Sequence, residues 1–157
     1  MTDSIRQLLE SKPLATADAA AGLIVVDNRR YLMQLRDDKP EIFYPGHWGL
    51  FGGSINEGET LIEGLRRELR EELEFEFDEA SYFTSFDIDF SFCGLGLYKR
   101  RYYVIDCAAE TLPRLRQHEG QDMRAFTFEE ILRLGNVAPY DSFAIWLHAN
   151  RDRVGKA

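Results

Sequence analysis

The chain has 157 residues, of which 45% are hydrophobic, 13% aromatic and 29% charged, and its formal net charge is −8. This length suffices for one hydrophobic core, so we expect a single domain over residues 1–157. The negative charge disfavours nonspecific binding to nucleic acid or to an anionic membrane, since both need positive potential. A small phosphorylated substrate is not excluded, because a metal ion reverses the local sign of the charge.

The cysteines and the N-terminus give no sign of export. Cys93 and Cys107 show neither CxxC nor zinc-site spacing, and we interpret both as buried apolar residues. The N-terminal residues lack the basic start, apolar run and cleavage site of a secretory leader. No segment has the roughly 20 apolar residues of a membrane span. The sequence therefore predicts a cytoplasmic protein.

The first half of the chain is predicted to contain a short helix, a hairpin and a long helix. The short helix covers residues 3–11 and ends before Pro13. The apolar runs AAGLIVVD and YLMQLRD, separated by NRR, predict a β-hairpin. The loop DKPEIFYPGHWG leads into a short strand, WGLFGG, with a glycine turn. The long helix runs from Glu59 or Thr60 to about Leu73.

The second half is predicted to be rich in strands. The segment SYFTSFDIDFSF alternates between apolar and polar residues, which is typical of a half-buried strand. CGLG turns the chain into a second strand, LYKRRYYVIDC. The loop RLRQHEGQD precedes a strand, MRAFTF, a short helix over Glu129–Leu134 and a final helix from Pro139. This order predicts an α+β domain with a mixed sheet flanked by helices.

The predicted long helix carries three glutamates, Glu68, Glu71 and Glu72, within five residues. Like charges three and four residues apart on a helix repel one another. At about 100° per residue the three share one stripe, directly beside an apolar stripe. The apolar stripe consists of Leu61, Ile62, Leu65, Leu69 and Leu73. Gly64 lies on the acidic stripe one turn earlier, where its missing side chain admits close approach of backbone or ligand.

Two interpretations fit the acidic stripe. In the first, the helix is an ordinary amphipathic surface whose carboxylates are neutralised by Arg67, Arg70 and water. In the second, the three carboxylates supply hard oxygen ligands to Mg²⁺, which favours carboxylate, water and substrate phosphate. The helix alone does not decide between them, and the residues around it do.

From Gly53 onward the chain resembles the signature box of the Nudix (MutT-like) hydrolases. The pattern is Gly53, five residues, Glu59, seven residues, Arg67-Glu68-Leu69, one residue and Glu71-Glu72, with Phe75 at the final apolar position. Eight of the nine defined positions match over 23 residues. The family usually has glycine where this chain has Glu74. A left-handed helix end costs glutamate about 1–2 kcal/mol, so we expect strain there or a different helix end.

The resemblance implies an α/β/α sandwich and a set of metal ligands. Mg²⁺, with Mn²⁺ as a substitute, is expected on Glu68, Glu71 and Glu72 and on the backbone carbonyl of Gly52. Glu71 and Glu72 are also the expected catalytic residues.

Two further expectations concern residues near these ligands. Glu59 and Arg67 are expected to pair and to brace the loop against the helix, although an ordinary surface ion pair is the alternative. The segment HEGQD resembles a late loop of MutT-type enzymes, so Glu119 is expected as a ligand or general base. The alternative for Glu119 is a solvated loop residue, and His118 beside it is a less favoured candidate for accepting the proton.

Several residues are candidates for contacts with the rest of a substrate. Arg36, at the end of the second strand, is expected to reach a phosphate. Trp48 and Phe51 are expected to stack on a base, and Asp141 is expected to touch it. Each has a structural alternative, because aromatics beside a glycine turn often belong to the core. In the basic run Lys99-Arg100-Arg101, alternation sends Arg100 to the face opposite the other two, so at most part of the run faces one pocket. A solvated strand surface is the favoured interpretation of the run.

The leading hypothesis is a Mg²⁺-dependent hydrolase of a small nucleotide, either a (deoxy)nucleoside triphosphate or a nucleotide sugar. Such enzymes split a nucleoside diphosphate joined to another group. The alternative is a catalytically silent Nudix domain that senses a nucleotide ligand, which has no physical need for three clustered carboxylates. An RNA 5′-end hydrolase is disfavoured by the charge of −8. A homodimer is common in such families, and the sequence leaves the oligomeric state open.

Overall fold

The computed structural model describes residues 17–90 and 96–154. The strands within these ranges are β1 (Ala17–Val26), β2 (Arg30–Leu35), β3 (Trp48–Gly49), β4 (Phe51–Ser54), β5 (Ser81–Asp89), β6 (Leu97–Cys107) and β7 (Asp122–Thr127). The helices are α1 (Leu61–Leu73), α2 (Phe128–Ile131), α3 (Pro139–Ala149) and α4 (Arg151–Val154), together with a 3-10 helix over Ala109–Arg114.

The strands form one mixed sheet with β1 at its centre. The order is β3-β2-β1-β6-β5, and in addition β4 pairs with β1 and β7 with β2. β1 and β6 run parallel, from Ala17 opposite Tyr98 to Val26 opposite Cys107. The β1–β2 hairpin and the other strand pairs of the described ranges are antiparallel. The predicted hairpin and mixed sheet are confirmed.

Helices cover both faces of this sheet. On one face, Leu65 and Leu69 of α1 pack in a cluster with Phe51. On the other face, Ile145 of α3 packs in a cluster with Tyr102. Because β1 is buried between the two layers, its sequence is a continuous apolar run instead of an alternating one. The α/β/α arrangement is confirmed, and no helix of the described ranges is long and apolar enough to cross a membrane.

The structure differs from the predicted elements in four places. The single strand expected over WGLFGG is divided at Leu50 into β3 and β4. The helix expected over Glu129–Leu134 is α2, which begins earlier because the Thr127 side chain caps it and accepts from the Glu130 N–H. It ends earlier because the next turn tightens: the Arg133 N–H donates to the Glu130 carbonyl at 3.0 Å. The 3-10 helix had no prediction, and the alternating strand ends at Asp89. The predicted helix over residues 3–11, Cys93 and most of the CGLG turn lie outside the described residues.

The residue that caps the C-terminal end of α1, Glu74, adopts the left-handed conformation, with φ 53° and ψ 31°. Its N–H donates to the Arg70 carbonyl at 2.9 Å, and the Phe75 N–H donates to the Leu69 carbonyl at 3.2 Å. These bonds satisfy carbonyls that the end of a helix otherwise leaves unpaired. The helix therefore ends as it would with glycine, and the glutamate carries the conformational cost.

We expect Glu74→Gly to be more stable than Glu74→Ala by about 1 kcal/mol, because only glycine adopts the left-handed conformation without strain. Both variants lack the glutamate side chain, so the comparison isolates the backbone. Urea unfolding at constant pH measures the difference. Equal free energies of unfolding for the two variants would show that the helix end relaxes in solution.

A second feature of the fold is a buried histidine on the α3 face of the sheet. His148 Nδ1 lies 2.8 Å from the Tyr31 hydroxyl, and the imidazole packs edge-to-face on Phe83. Burial lowers the pKa of His148 from 6.5 to about 4, and the positive charge of Arg151 acts in the same direction. The folded protein thus keeps this imidazole neutral at a pH where the unfolded chain protonates it.

This pKa predicts an acid-dependent loss of stability. As the pH falls from about 6.5 to about 4, the unfolded chain binds a proton at His148 that the folded chain does not. The free energy of unfolding should therefore fall by up to about 3 kcal/mol over this window from this group. His148→Gln should remove that part of the slope, as measured by urea unfolding between pH 4 and 7. An unchanged slope in the variant would assign the acid sensitivity to other groups.

Candidate active site

Two glycines of β4 allow the α1 carboxylates to approach the sheet. Gly52 has a φ of +131°, and a Cβ there would lie 2.2 Å from the backbone oxygen of Ala20. At Gly53 a Cβ would lie 2.5 Å from Glu68 Oε2. The Glu68 carboxylate therefore occupies the space that any other residue at position 53 would fill. This contact explains why the motif begins with glycine.

Glu72 is the buried acid of the site. It is 5% exposed, and its Oε2 accepts the Gly52 N–H at 2.9 Å. Burial, together with the nearby carboxylates of Glu119 and Glu68, raises the pKa of Glu72 to about 8, although the Gly52 hydrogen bond and the charge of Arg100 act in the opposite direction. A carboxyl group in this position needs either a proton or a cation beside it.

Arg67 links three of the other carboxylates. Its Nε and Nη2 donate to the two oxygens of Glu59 at 2.7 and 3.0 Å, and its Nη1 lies 2.5 Å from Glu68 Oε1. The hydrogen bonds from Arg67, together with one from the Asn56 N–H, lower the pKa of Glu59 to about 2. Arg67 Nη2 also donates to the Ser54 carbonyl at 2.9 Å, which ties α1 to the preceding loop. The structure thus joins the predicted Glu59–Arg67 pair.

Glu71 and Gly64 complete the acidic stripe. Glu71 is largely exposed, with one oxygen 3.3 Å from Arg67 Nη1. A Cβ at Gly64 would lie 2.5 Å from Ile55 Cδ1, so the expected gap in the helix surface is filled by the loop. Arg67 therefore neutralises the exposed part of the stripe, whereas the arginine that acts on the buried Glu72 is Arg100, whose charge lowers the pKa of Glu72 only in part.

The loop of Glu119 lies against the C-terminal end of α1. The His118 N–H donates to the Glu72 carbonyl at 2.8 Å, and the Arg116 N–H donates to the Leu73 carbonyl at 3.0 Å. Glu119 itself is exposed, and its charge acts on the pKa of Glu72. The structure thus brings the late-loop glutamate to the same end of the helix as the buried acid.

These residues suit a divalent cation, although they form no ready-made cage. Within residues 17–90 and 96–154, no three Asp, Glu, His or Cys side chains are gathered closely enough to hold a metal ion by themselves. Mg²⁺ does not need such a cage, because it usually takes one or two carboxylates together with waters and substrate phosphates. The like charges of Glu68 and Glu119 around the buried Glu72 carboxyl are the feature that fits a cation.

Two of the predicted base contacts belong to the core. Phe51 is fully buried against α1, and Trp48 is buried with its ring edge-to-face on Phe126 at 4.8 Å. Neither ring offers a free face on which a base could stack. This placement corrects the expected stacking role of both residues, and the structural alternative describes them better.

Asp141 is also an internal residue. It is 1% exposed, and its Oδ2 accepts the Leu50 N–H at 2.9 Å. The Arg100 Nε donates to Asp141 Oδ1 at 3.1 Å, and the Tyr102 hydroxyl donates to the same oxygen at 3.1 Å. With its oxygens engaged in this way, Asp141 is placed to hold α3 on the sheet, which corrects its expected contact with a base.

The basic candidates divide between the two faces of the sheet, as the alternation predicts. Arg100 is largely buried beside Asp141 on the α3 face, with 12% of its side chain exposed, whereas Arg101 Nη1 lies 2.7 Å from Asp18 Oδ1. Arg36 is half-buried, and its Nε donates to the Phe43 carbonyl at 2.8 Å. Arg36 therefore braces the loop that follows β2, and a phosphate contact remains a proposal for it.

Sequence reasoning missed two pairings of the site region. One is the Arg100–Asp141 ion pair, and the other is the contact of His118 Nε2 with Glu74 Oε1 at 2.7 Å. Their partners lie 41 and 44 residues apart in the chain, so no local pattern connects them. The available sequence signal for the His118–Glu74 contact was the glutamate at position 74, where the resembling motif usually has glycine.

Comparison with known proteins identifies the class. The NUDIX domain model matches residues 16–147, and the chain belongs to the Nudix family of MutT-like hydrolases. Nudix hydrolases generally use divalent metal ions and act on small nucleotides. The nucleoside triphosphatase NudI of Escherichia coli is 45% identical over 51 residues, which are 32% of this chain and 35% of that protein. The chain thus spans about a third of the length of the curated relatives that it matches.

Solved structures agree on the fold. A MutT Nudix hydrolase from Burkholderia pseudomallei has a TM-score of 0.69 at 20% identity, covering 87% of this chain and 98% of that one. The NUDIX domain of Shewanella oneidensis NrtR, complexed with ADP ribose, has a TM-score of 0.67 at 17% identity, covering 98% and 99%. At these identities the likeness concerns the fold alone.

Proposed function

We propose that this chain is a Mg²⁺-dependent nucleotide pyrophosphohydrolase. It cleaves a nucleoside diphosphate linked to another moiety, in a (deoxy)nucleoside triphosphate or a nucleotide sugar, by attack of water at phosphorus. The observation that carries the proposal is the buried Glu72 carboxyl, whose pKa is raised to about 8 by burial and by its acidic neighbours. A perturbed acid in an acidic cluster is a candidate for both metal binding and proton transfer.

The chain's residues take the following roles in this proposal. Glu68 and Glu72 hold Mg²⁺ or Mn²⁺, with Glu71, Glu119 and the Gly52 carbonyl as further ligands. The bound ion neutralises diphosphate oxygens and lowers the pKa of the attacking water.

Proton transfer and orientation fall to the side chains. Glu72 or Glu119 accepts the proton of the attacking water, and the Gly52 N–H fixes the Glu72 carboxylate in place. Arg67 orients Glu68 from one side through its hydrogen bond and is itself held by Glu59. Arg36 remains the proposed phosphate contact.

The alternative is a Nudix domain that binds a nucleotide without turnover. The fold likeness to a NUDIX domain complexed with ADP ribose is what supports this second candidate. The acidic cluster disfavours it, because binding alone gives no reason to bury Glu72 among like charges at a cost in stability.

A substrate panel with purified protein tests the proposal. The panel covers canonical and oxidised nucleoside triphosphates, nucleotide sugars, ADP-ribose and dinucleoside polyphosphates, each with Mg²⁺ and with a chelator. We expect Mg²⁺-dependent hydrolysis of one class into a nucleoside monophosphate and a second phosphorylated product, resolved by chromatography. Tight binding of a panel member without hydrolysis would favour the sensor, and hydrolysis that survives the chelator would contradict the metal assignment.

A further inference from the structure

The C-terminal end of α1 is tied to the Glu119 loop by a side-chain contact as well as by backbone bonds. The backbone bonds join Arg116 to Leu73 and His118 to Glu72. Beside them, His118 Nε2 lies 2.7 Å from Glu74 Oε1. The contact thus joins Glu74, two residues after the buried Glu72, to His118, which directly precedes Glu119.

We propose that Glu74, acting through His118, is a positioning residue that fixes the Glu119 loop relative to Glu72. The inference rests on the proposed function for its catalytic consequence, because Glu119 matters only if the site turns over or binds metal. Glu74 itself touches neither substrate nor metal in this proposal.

The backbone at position 74 supports this role. Glu74 is left-handed, a conformation that glycine adopts freely and that strains glutamate. The resembling motif usually has glycine here, and glycine has no side chain with which to reach the loop. The chain therefore tolerates strain at the position from which the Glu74 carboxylate meets His118.

The other end of the loop is held independently. The Gln121 N–H donates to the Leu35 carbonyl at 2.7 Å, and the Gln121 side chain donates to the Arg36 carbonyl at 2.8 Å. Gly120 has a φ of +85°, and a Cβ there would lie 2.8 Å from the Leu35 oxygen. The loop is thus fixed to β2 on one side and to α1 on the other. Glu119 lies between these anchors, and its carbonyl accepts from Gln117 Nε2 at 2.8 Å, so the loss of one anchor is expected to loosen the loop in part.

The hydrogen bond between His118 and Glu74, called the tie below, does not depend on a charged imidazole. A neutral ring protonated at Nε2 donates to the Glu74 carboxylate as a cation does. Both side chains are more than half exposed, at 53% and 58%, so the hydrogen bond competes with water. The expected effect of its loss is therefore a change of about three- to tenfold, and not an abolished activity.

Hydrogen exchange of the metal-free full chain tests the tie without any turnover. In Glu74→Ala, Glu74→Gly and His118→Ala, we expect the amides of residues 116–121 to exchange about three- to tenfold faster than in the wild type. Glu74→Gln keeps an acceptor oxygen, so its amides should exchange as slowly as those of the wild type. Glu76→Ala is the matched control, because Glu76 is an exposed glutamate of the same segment that pairs with Arg70 instead of the loop.

Kinetics and Mn²⁺ binding then test the consequence. The same three variants should lose about three- to tenfold in kcat, with KM changed less than twofold, and Mn²⁺ affinity measured by electron paramagnetic resonance should weaken by a similar factor. Glu74→Gly is the decisive variant, because it relieves the backbone strain. A purely structural role predicts that it is at least as active as the wild type, whereas positioning predicts the same loss as in Glu74→Ala.

The outcomes separate the two claims. Loss of kcat in Glu74→Gly with faster loop exchange supports positioning, and a double Glu74→Ala, His118→Ala variant should be no worse than either single one. Wild-type exchange and kcat in Glu74→Gly would overturn the inference in an active enzyme. A wild-type chain with no turnover would overturn the proposed function instead, and the exchange rates would still decide whether the tie exists.

Discussion

Glu72→Gln is expected to lower kcat by about 10³-fold while leaving the protein folded. The amide keeps the size of the side chain and an oxygen that accepts the Gly52 N–H, so the local packing is preserved. It removes the charge that binds a cation and the oxygen that accepts a proton. Steady-state hydrolysis of the substrate found in the panel, at saturating Mg²⁺, measures the loss.

The same substitution should make the metal-free protein more stable at alkaline pH. Between pH 4.5 and about 8, the folded chain retains the Glu72 proton that the unfolded chain releases. The free energy of unfolding of the wild type therefore falls as the pH rises through this window and levels off above it. Glu72→Gln removes this contribution and should gain about 2–4 kcal/mol at pH 8 in chelator.

Glu129→Gln is the control for loss of one negative charge, because Glu129 is exposed on α2, away from the site. It should match the wild type in kcat and in the pH dependence of stability. Turnover by Glu72→Gln within tenfold of the wild type would remove Glu72 from the catalytic assignment.

Asp141→Ala is expected to destabilise the protein by about 3–5 kcal/mol. The substitution leaves the Arg100 guanidinium buried without its counter-charge and the Leu50 N–H without its acceptor. Because such a loss is a large share of the stability of a domain this size, the melting temperature should fall by about 10 °C or more. Urea and thermal unfolding measure the change.

Two further variants show whether the loss comes from the buried pair. Asp141→Asn keeps an acceptor for Leu50 and should lose less, and Asp152→Ala, at an exposed position of α4, should lose almost nothing. In the folded fraction of Asp141→Ala, KM should change less than twofold. A tenfold rise in KM with normal stability would restore Asp141 as a contact to the base.

Local signals explain why α1 and its acids could be predicted from the sequence. Thr60 and Glu63 form a capping box, in which the Thr60 Oγ1 accepts the Glu63 N–H at 3.3 Å and Glu63 accepts the Thr60 N–H at 2.8 Å. The leucine stripe then fixes which side of the helix meets the sheet. Since these determinants lie within a few residues of one another, the positions of Glu68 and Glu72 follow from the pattern.

The failed predictions depend on partners distant in the chain. An acid looks the same in sequence whether it faces a ligand or, as Asp141 of α3 does, a largely buried arginine on a distant strand. Aromatic residues such as Phe51 are likewise ambiguous, because a binding wall and a core need the same side chains. Only tertiary packing decides between these environments, and a single sequence does not contain it in readable form.

The parallel pairing of β1 with β6 also sets the order in which the chain can fold. β1 meets β2 and β4 within a few tens of residues, whereas its partner positions on β6 lie about eighty residues further along. Closing so long a loop costs more entropy and makes folding slower than local pairing does. The β1–β4–α1 unit, which holds Glu68 and Glu72, can therefore assemble before β6 arrives. A chain halted at that stage exposes the bare edge of β1, and this edge is where intermolecular strand pairing and aggregation would begin.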